Sequence, residues 1–210
     1  MNTAYLKANR FARNVRERIR WLTGTKAKNG PDNHVVKLQR IRSYQRLVKA
    51  TSFIETGTFF GQTTAFASRR FENVVSIELC PTLAQANQTA FRKQRNVKIL
   101  CGDSRLLLAD AVKLCRPPIL FWLDGHYSGG NTAGAAAPCP IIDELKTIGG
   151  ALDISQCVLL IDDLRLFNGL DGYPKFEKVS ALIKNIWNDA EIGVDQDAIT
   201  VADKAMKSQL

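Results

Sequence analysis

The sequence predicts an α/β fold: a doubly wound, mostly parallel seven-stranded sheet preceded by a helical N-terminal extension. Three observations carry this expectation. From Ala50 onward, short β-branched runs alternate with helical patterns; the runs ILFWL (119–123) and VLLI (158–161) are apolar throughout; and positive charge is concentrated ahead of both. Apolar strands joined by helices are what a parallel sheet covered on both faces requires.

The extension comes first. Phe11, Val15, Ile19 and Leu22 recur at helical spacing among Arg13, Arg16, Arg18 and Arg20. A Gly/Lys/Asn-rich break at 24–30 follows, and Pro31 opens a second helical pattern carrying Leu38, Ile41 and Val48. Residues 1–50 hold 13 Lys/Arg against 2 acids, whereas the remaining 160 hold 16 against 18, within an overall charge of +9. This places a basic helical extension at 1–49 and a nearly neutral domain at 50–210.

Within the domain, SFIE (52–55) reads as the first strand, followed by a glycine loop and a helix through about Arg70. VVSIE (74–78) is the second strand, with a helix over 81–94, and VKIL (97–100) the third, with the helix SRLLLADAVKLC. ILFWLD (119–124) is the fourth, leading through a long Gly/Ala/Pro loop to a helix near 140–148. CVLLIDD (157–163) is the fifth, with a helix over about 175–187; EIGV and AITV, on either side of Asp195-Gln196-Asp197, read as an edge hairpin.

Composition excludes several classes. With 210 residues, 45% hydrophobic and 23% charged, the chain is neither disordered nor fibrous, and its core needs no disulfide or structural metal. No apolar run approaches the roughly 20 residues that span a bilayer, and the basic start lacks the apolar stretch of a signal peptide. Cys80, Cys101, Cys115, Cys139 and Cys157 form no CxxC pair and are expected to be buried free thiols in a reducing, cytoplasmic compartment.

The polar residues are placed with regularity. Strand 1 ends in Glu55-Thr56-Gly57, strand 2 in Glu78, strand 4 in Asp124 and strand 5 in Asp162-Asp163, while strand 3 leads to Asp103. In an open parallel sheet these carboxyl ends line the ligand crevice. In the loop ETGTFFGQT (55–63), Gly57 and Gly61 permit a sharp turn and close approach to a ligand, with the free N–H groups of the next helix aimed at the same place. The loop lacks G-x-G-x-x-G, which disfavours a nicotinamide cofactor. Glu78 lies where an acid accepts hydrogen bonds from ribose hydroxyls, and Asp103, one strand further, can take an exocyclic adenine amine. Together they point to an adenosyl ligand without requiring phosphate.

With the ETGTFFG loop, the VVSIEL acid and the CGDS turn in this order, the chain from about Ser52 onward resembles the class I S-adenosylmethionine-dependent methyltransferases. LDGHYSGG and LLIDD further resemble the small macrocin-type O-methyltransferases. The resemblance implies cofactor binding by Glu55, Thr56, Gly57, Thr58, Gly61, Glu78, Asp103, Ser104 and Asp124. It also implies that Asp124, Asp162 and Asp163 hold a divalent metal, magnesium being the expected ion. Thr58 and Phe59 stand where the commonest loop has a denser glycine pattern.

Methyl transfer from a sulfonium needs chiefly alignment, but an alcohol acceptor must also lose its proton. Three carboxylates suit Mg or Mn and not zinc, and a cation they hold would lower the acceptor's pKa. Their other reading is that Asp163 caps a turn and Asp162 bonds neighbouring loops. His126, two residues past Asp124, is a candidate general base or a loop residue, with Tyr127, Gly129 and Gly130 shaping the loop. Asp124 and His126 are thus the catalytic candidates, whereas His34 reads as surface or packing. The basic extension packs on the domain or on a second subunit, lies on an anionic membrane at the inner surface, or meets a polyanion. Nucleic acid is not the expected substrate, because the domain itself is slightly acidic. The expectation is a metal-assisted O-methyltransferase acting on a hydroxyl of a sugar or other small molecule. The rival reading is a non-catalytic adenosyl-binding or adaptor protein.

Overall fold

Five parallel strands, three of them buried from end to end, and a terminal hairpin build the sheet. In the computed structural model, which describes residues 3–22, 31–124 and 138–207, the strands are β1 (Ser52–Thr56), β2 (Asn73–Glu78), β3 (Val97–Cys101), β4 (Ile119–Leu123), β5 (Cys157–Ile161), β6 (Ala190–Asp195) and β7 (Ala198–Asp203). Every residue of β1, β4 and β5 is buried, as strands covered on both faces must be. Their order is β3-β2-β1-β4-β5-β7-β6. All pairings from β3 to β5 are parallel, and β7 enters antiparallel to both β5 and β6. The predicted seven-stranded, mostly parallel sheet with an edge hairpin is therefore present.

The covering helices are α1 (Thr3–Leu22), α2 (His34–Val48), α3 (Gln62–Ala67), α4 (Pro81–Phe91), α5 (Ser104–Lys113), α6 (Ile141–Ala151), α7 (Phe176–Ile186) and the short α8 (Lys204–Lys207). Two apolar layers form. Ile54, Phe121, Leu159 and Ile199 face α5, α6 and α7 through Leu108, Leu145, Ile148 and Ile183. Phe53, Leu120, Trp122 and Val158 point the opposite way, toward Ile41 and Val48 of α2 and Ala67 of α3. The alternation of neighbours along each strand is the two-residue period of the pleat.

Several expectations are corrected. The helix after the glycine loop stops at Ala67 instead of about Arg70. Helix α2 of the extension supplies Ile41 and Val48 to the core. Among the described residues the apolar stripe of α1 is largely exposed: Phe11, Val15, Ile19 and Leu22 are 72, 41, 55 and 69% exposed. What anchors α1 is the buried Leu6 together with its polar residues, so Arg10 reaches the Phe60 carbonyl at 2.9 Å and stacks over Phe91 of α4. All five cysteines are free, but only Cys157 is buried and Cys101 is exposed. No described helix is long and apolar enough to cross a membrane.

Candidate active site

Strand order reverses between β1 and β4, so their carboxyl ends flank the crevice where an open α/β sheet takes its ligand. The loop after β1 turns twice in the left-handed region, at Gly57 (φ 94°) and Gly61 (φ 70°), with Phe59 also at φ 49°. At Gly61 a side chain would collide, since a Cβ there would lie 2.5 Å from Asn87 Oδ1 and 2.9 Å from Arg10 Nη2. Asn87 Nδ2 in turn donates to the Phe59 carbonyl at 2.7 Å, locking the loop to α4.

Two carboxylates fix this loop from below. Glu78 accepts from the backbone N–H of Phe59 at 2.7 Å and of Cys80 at 2.9 Å. Glu55 is fully buried and accepts from the Thr64 and Ser76 hydroxyls at 2.6 and 2.8 Å. Burial pushes Glu55 up to about 7, the hydroxyls opposing it, and raises Glu78 against the pull of its backbone donors. Thr58, also buried, shares a hydroxyl contact with Ser76 at 2.6 Å. Glu55 thus stands beneath the loop, whereas Gly57 and Thr58 border the cavity described below.

Asp103 caps α5 by accepting from the Arg105 N–H at 2.9 Å, and its carboxylate is gripped by the Arg105 guanidinium, which lowers its pKa. Ser104 and Thr56 lie nearby, buried, around the fully buried Glu144 of α6. Both Glu144 oxygens lack a hydrogen bond among the described residues; the Ser104 and Thr56 hydroxyls are close enough to favour its ionised form without meeting ordinary geometry. Burial pushes Glu144 up to about 7.

On the other side of the crevice, Asp124 follows β4 and Asp162-Asp163 follow β5. One carboxylate oxygen of each lies within 4.8 Å of the others. Asp163 takes a left-handed φ of 60° and accepts from Arg165 Nη1 at 2.8 Å; Arg165 also pairs with Asp197 in the turn between β6 and β7. Asp124 keeps some contact with solvent, yet enough protein surrounds it to push its pKa up to about 6, with Lys37 opposing and Asp163 and Glu55 adding. Asp162 is fully buried and raised well above the carboxylate range, first by burial and then by Asp124. Its Oδ1 has no hydrogen-bond partner among the described residues.

Lys37 of α2, absent from the sequence-based candidates, enters this cluster. Its ammonium donates to Asp162 Oδ2 and lies 3.7 Å from Asp163 Oδ1. Burial alone would lower the lysine pKa; Asp124, Asp162 and Asp163 outweigh it and hold the group charged. Lys37 precedes the buried Arg40 and Ile41 by three and four residues, so helical geometry puts all three on the inward face of α2. That spacing was the available signal.

Helices α1 and α2, the glycine loop and Asp124 enclose a cavity of about 270 Å³, lined by Arg13, Glu17, His34, Lys37, Phe59 and Asp124 among others. Arg13 lies 4.9 Å from the centre of the Phe59 ring, and Glu17 accepts from the His34 N–H at 3.1 Å. His34 is half-buried and packs against the cavity: burial, with Lys37 and Arg13 beside it, lowers it to about 4, and its Nε2 has no partner among the described residues. His126, with Tyr127, Gly129 and Gly130, lies outside the described residues. The candidates around Gly57, Glu78 and Asp103 and those around Asp124 and Asp162 thus meet at one sheet edge, joined there by the unpredicted Lys37, His34, Arg13 and Glu144.

No family model and no curated protein sequence matches the chain. Solved structures do. The Podospora anserina methyltransferase PaMTH1, bound to S-adenosylhomocysteine, superposes with a TM-score of 0.55 over 96% of this chain and 93% of its own, at 16% identity. A Klebsiella pneumoniae protein provisionally assigned as an O-methyltransferase gives 0.56 over 94% and 89%, also at 16% identity. The Aeropyrum pernix fibrillarin with natively bound S-adenosylmethionine gives 0.50 over 73% and 66%, at 15% identity. The fold is that of the class I methyltransferases. At these identities the likeness is one of architecture, and it agrees with the strand order and the antiparallel β7.

Proposed function

We propose that the protein is an S-adenosylmethionine-dependent O-methyltransferase acting on a hydroxyl of a sugar or other small molecule. The observation that carries this reading is the convergence at one sheet edge of a twice-kinked glycine loop, a loop-bracing glutamate on the adjacent strand and a carboxylate cluster across the topological switch. The solved structures of the same fold that hold S-adenosylmethionine or its product support it.

In this reading Gly57 and Gly61 let the loop backbone lie against the methionine part of the cofactor. Glu78 accepts from Phe59 on one oxygen and from Cys80 on the other, and offers its remaining lone pairs to the ribose hydroxyls. Asp103, with Ser104 beside it, receives the adenine amine while sharing its charge with Arg105. The acceptor enters the cavity beside Asp124, where the helices of the extension exclude water and hold its hydroxyl in line with the methyl carbon. His126 is the proposed proton acceptor. The three aspartates offer carboxylate oxygens only, close together, the kind of donor set magnesium takes, but the Lys37 ammonium already bonds one of them, Asp162 Oδ2. A magnesium ion would supply a Lewis acid for the acceptor hydroxyl only in place of that ammonium. Association with a second copy, or with an anionic membrane surface inside the cell, is assigned to the exposed stripe of α1. Vesicle flotation and sedimentation separate these two partners.

The test is calorimetric titration of S-adenosylhomocysteine into the folded protein, with magnesium and then with EDTA. Micromolar binding in either condition supports the reading and justifies assaying methyl transfer to hydroxylated acceptors. No binding by folded protein overturns it. Binding without transfer to any hydroxyl acceptor would favour a non-catalytic adenosyl-binding role.

A further inference from the structure

Asp124, Asp162 and Asp163 present an arrangement that calls for a positive charge. Three carboxylates converge within 4.8 Å, one is fully buried, and one of its oxygens is orphaned among the described residues. Buried carboxylates are strongly unfavourable unless a cation or donor meets them. The charge already in place comes from the chain itself. We propose that Lys37 is the resident cation of this cluster: its ammonium stands where a divalent ion would, tethered to the extension through α2.

Three features make the tether firm. Ile41 and Val48 fix α2 in the core, and the neighbouring Arg40 binds Asp32 and Asp195. Lys37 leaves the same face one turn earlier, its side chain only 15% exposed. Its Nζ is hydrogen-bonded to Asp162 Oδ2 and lies 3.7 Å from Asp163 Oδ1, on two of the three carboxylates a divalent ion would need. An ammonium and a divalent ion on the same oxygen repel at short range, so one excludes the other. A bound metal is charged by its concentration in solution, whereas a lysine is present in every molecule. The cluster therefore presents a fixed positive charge beside the proposed acceptor site without drawing on free metal. The inference rests on the reading of this edge as the acceptor site, but its test does not pass through methyl transfer.

Manganese, which takes the same oxygen ligands as magnesium, is the probe. Titrated calorimetrically into the wild-type protein, it should show no binding below about 1 mM, whereas Lys37→Met should bind at least tenfold more tightly and Lys37→Met/Asp162→Asn should lose that binding again. Equal behaviour of wild type and Lys37→Met, whether both bind or neither does, overturns the proposal. Because Lys37→Met leaves buried carboxylates uncompensated and can fail to fold, a second measurement uses the wild-type protein. In a ¹⁵N-lysine spectrum the Lys37 ammonium, assigned by its loss in Lys37→Arg, should stay protected and unshifted in 10 mM magnesium; its release by magnesium overturns the proposal. S-adenosylhomocysteine titrated into the same wild-type sample tests the methyltransferase reading separately.

Discussion

Arg40 of α2 and Asp195 of β6 are 155 residues apart in sequence and joined by two hydrogen bonds, Nε to Oδ2 at 2.9 Å and Nη2 to the Asp195 carbonyl at 2.6 Å. The same guanidinium reaches Asp32 Oδ2 at 2.6 Å. The arginine side chain is 1% exposed, Asp32 6% and Asp195 42%, which ranks the partners. Removing the arginine strands a buried Asp32 charge; Asp195→Asn removes a half-exposed carboxylate and leaves Arg40 paired with Asp32 and bonded to the Asp195 carbonyl. Arg40→Met should therefore cost about 3–5 kcal/mol and Asp195→Asn no more than about 1.5 kcal/mol, read by urea denaturation. Equal losses would mean that the extension is not held through this contact.

Gly61 is the second point at which the fold admits one residue type. Its φ of 70° costs a Cβ-bearing residue about 1–2 kcal/mol, and the added carbon meets Asn87 at 2.5 Å. Asn87 holds the Phe59 carbonyl, so displacement propagates into the loop. Gly61→Ala should lower S-adenosylhomocysteine affinity at least tenfold while the chain remains folded by circular dichroism. Undiminished affinity would separate the loop from the ligand.

The sheet was legible because burial on both faces keeps β4 and β5 apolar from end to end, each run stopping where its carboxylate begins, while the buried β1 admits Ser52, Glu55 and Thr56. The extension was legible as helix but not in its orientation. Its stripe of Phe11, Val15, Ile19 and Leu22 obeys the amphipathic pattern, yet contacts made by Arg10, Asn14 and Glu17 decide which side faces inward. Lys37 was one cation among the 13 of residues 1–50, and its spacing to Ile41 places it on the inward face of α2 without saying what it meets there. Its role depends on carboxylates 125 residues away.

The orientation of α1 is itself testable. Leu6 is fully buried whereas Phe11 is 72% exposed. Leu6→Ala should destabilise by about 2–5 kcal/mol, unless α1 detaches first, which hydrogen exchange across residues 3–22 would reveal. Phe11→Ala should stay within about 0.5 kcal/mol in dilute protein. A reversed ranking would mean that the stripe packs inward.

Glu144 gives a pH dependence with a defined sign. It is fully buried, its oxygens lack hydrogen bonds among the described residues, and burial pushes its pKa up to about 7 from the ordinary 4.5. A carboxyl whose folded pKa lies above its unfolded one binds more protons when folded. Its contribution is complete below pH 4.5 and is lost as pH rises through about 7, because the unfolded chain then ionises freely and the folded one cannot. Glu144→Gln, which cannot ionise, should escape that loss. Its stability relative to wild type should rise by up to about 3 kcal/mol between pH 4.5 and 8, at 1.36 kcal/mol per pKa unit. Urea titrations of both proteins at the two pH values measure this. A difference that does not change with pH would mean that Glu144 is ionised in the folded protein, and that a partner stabilises its charge.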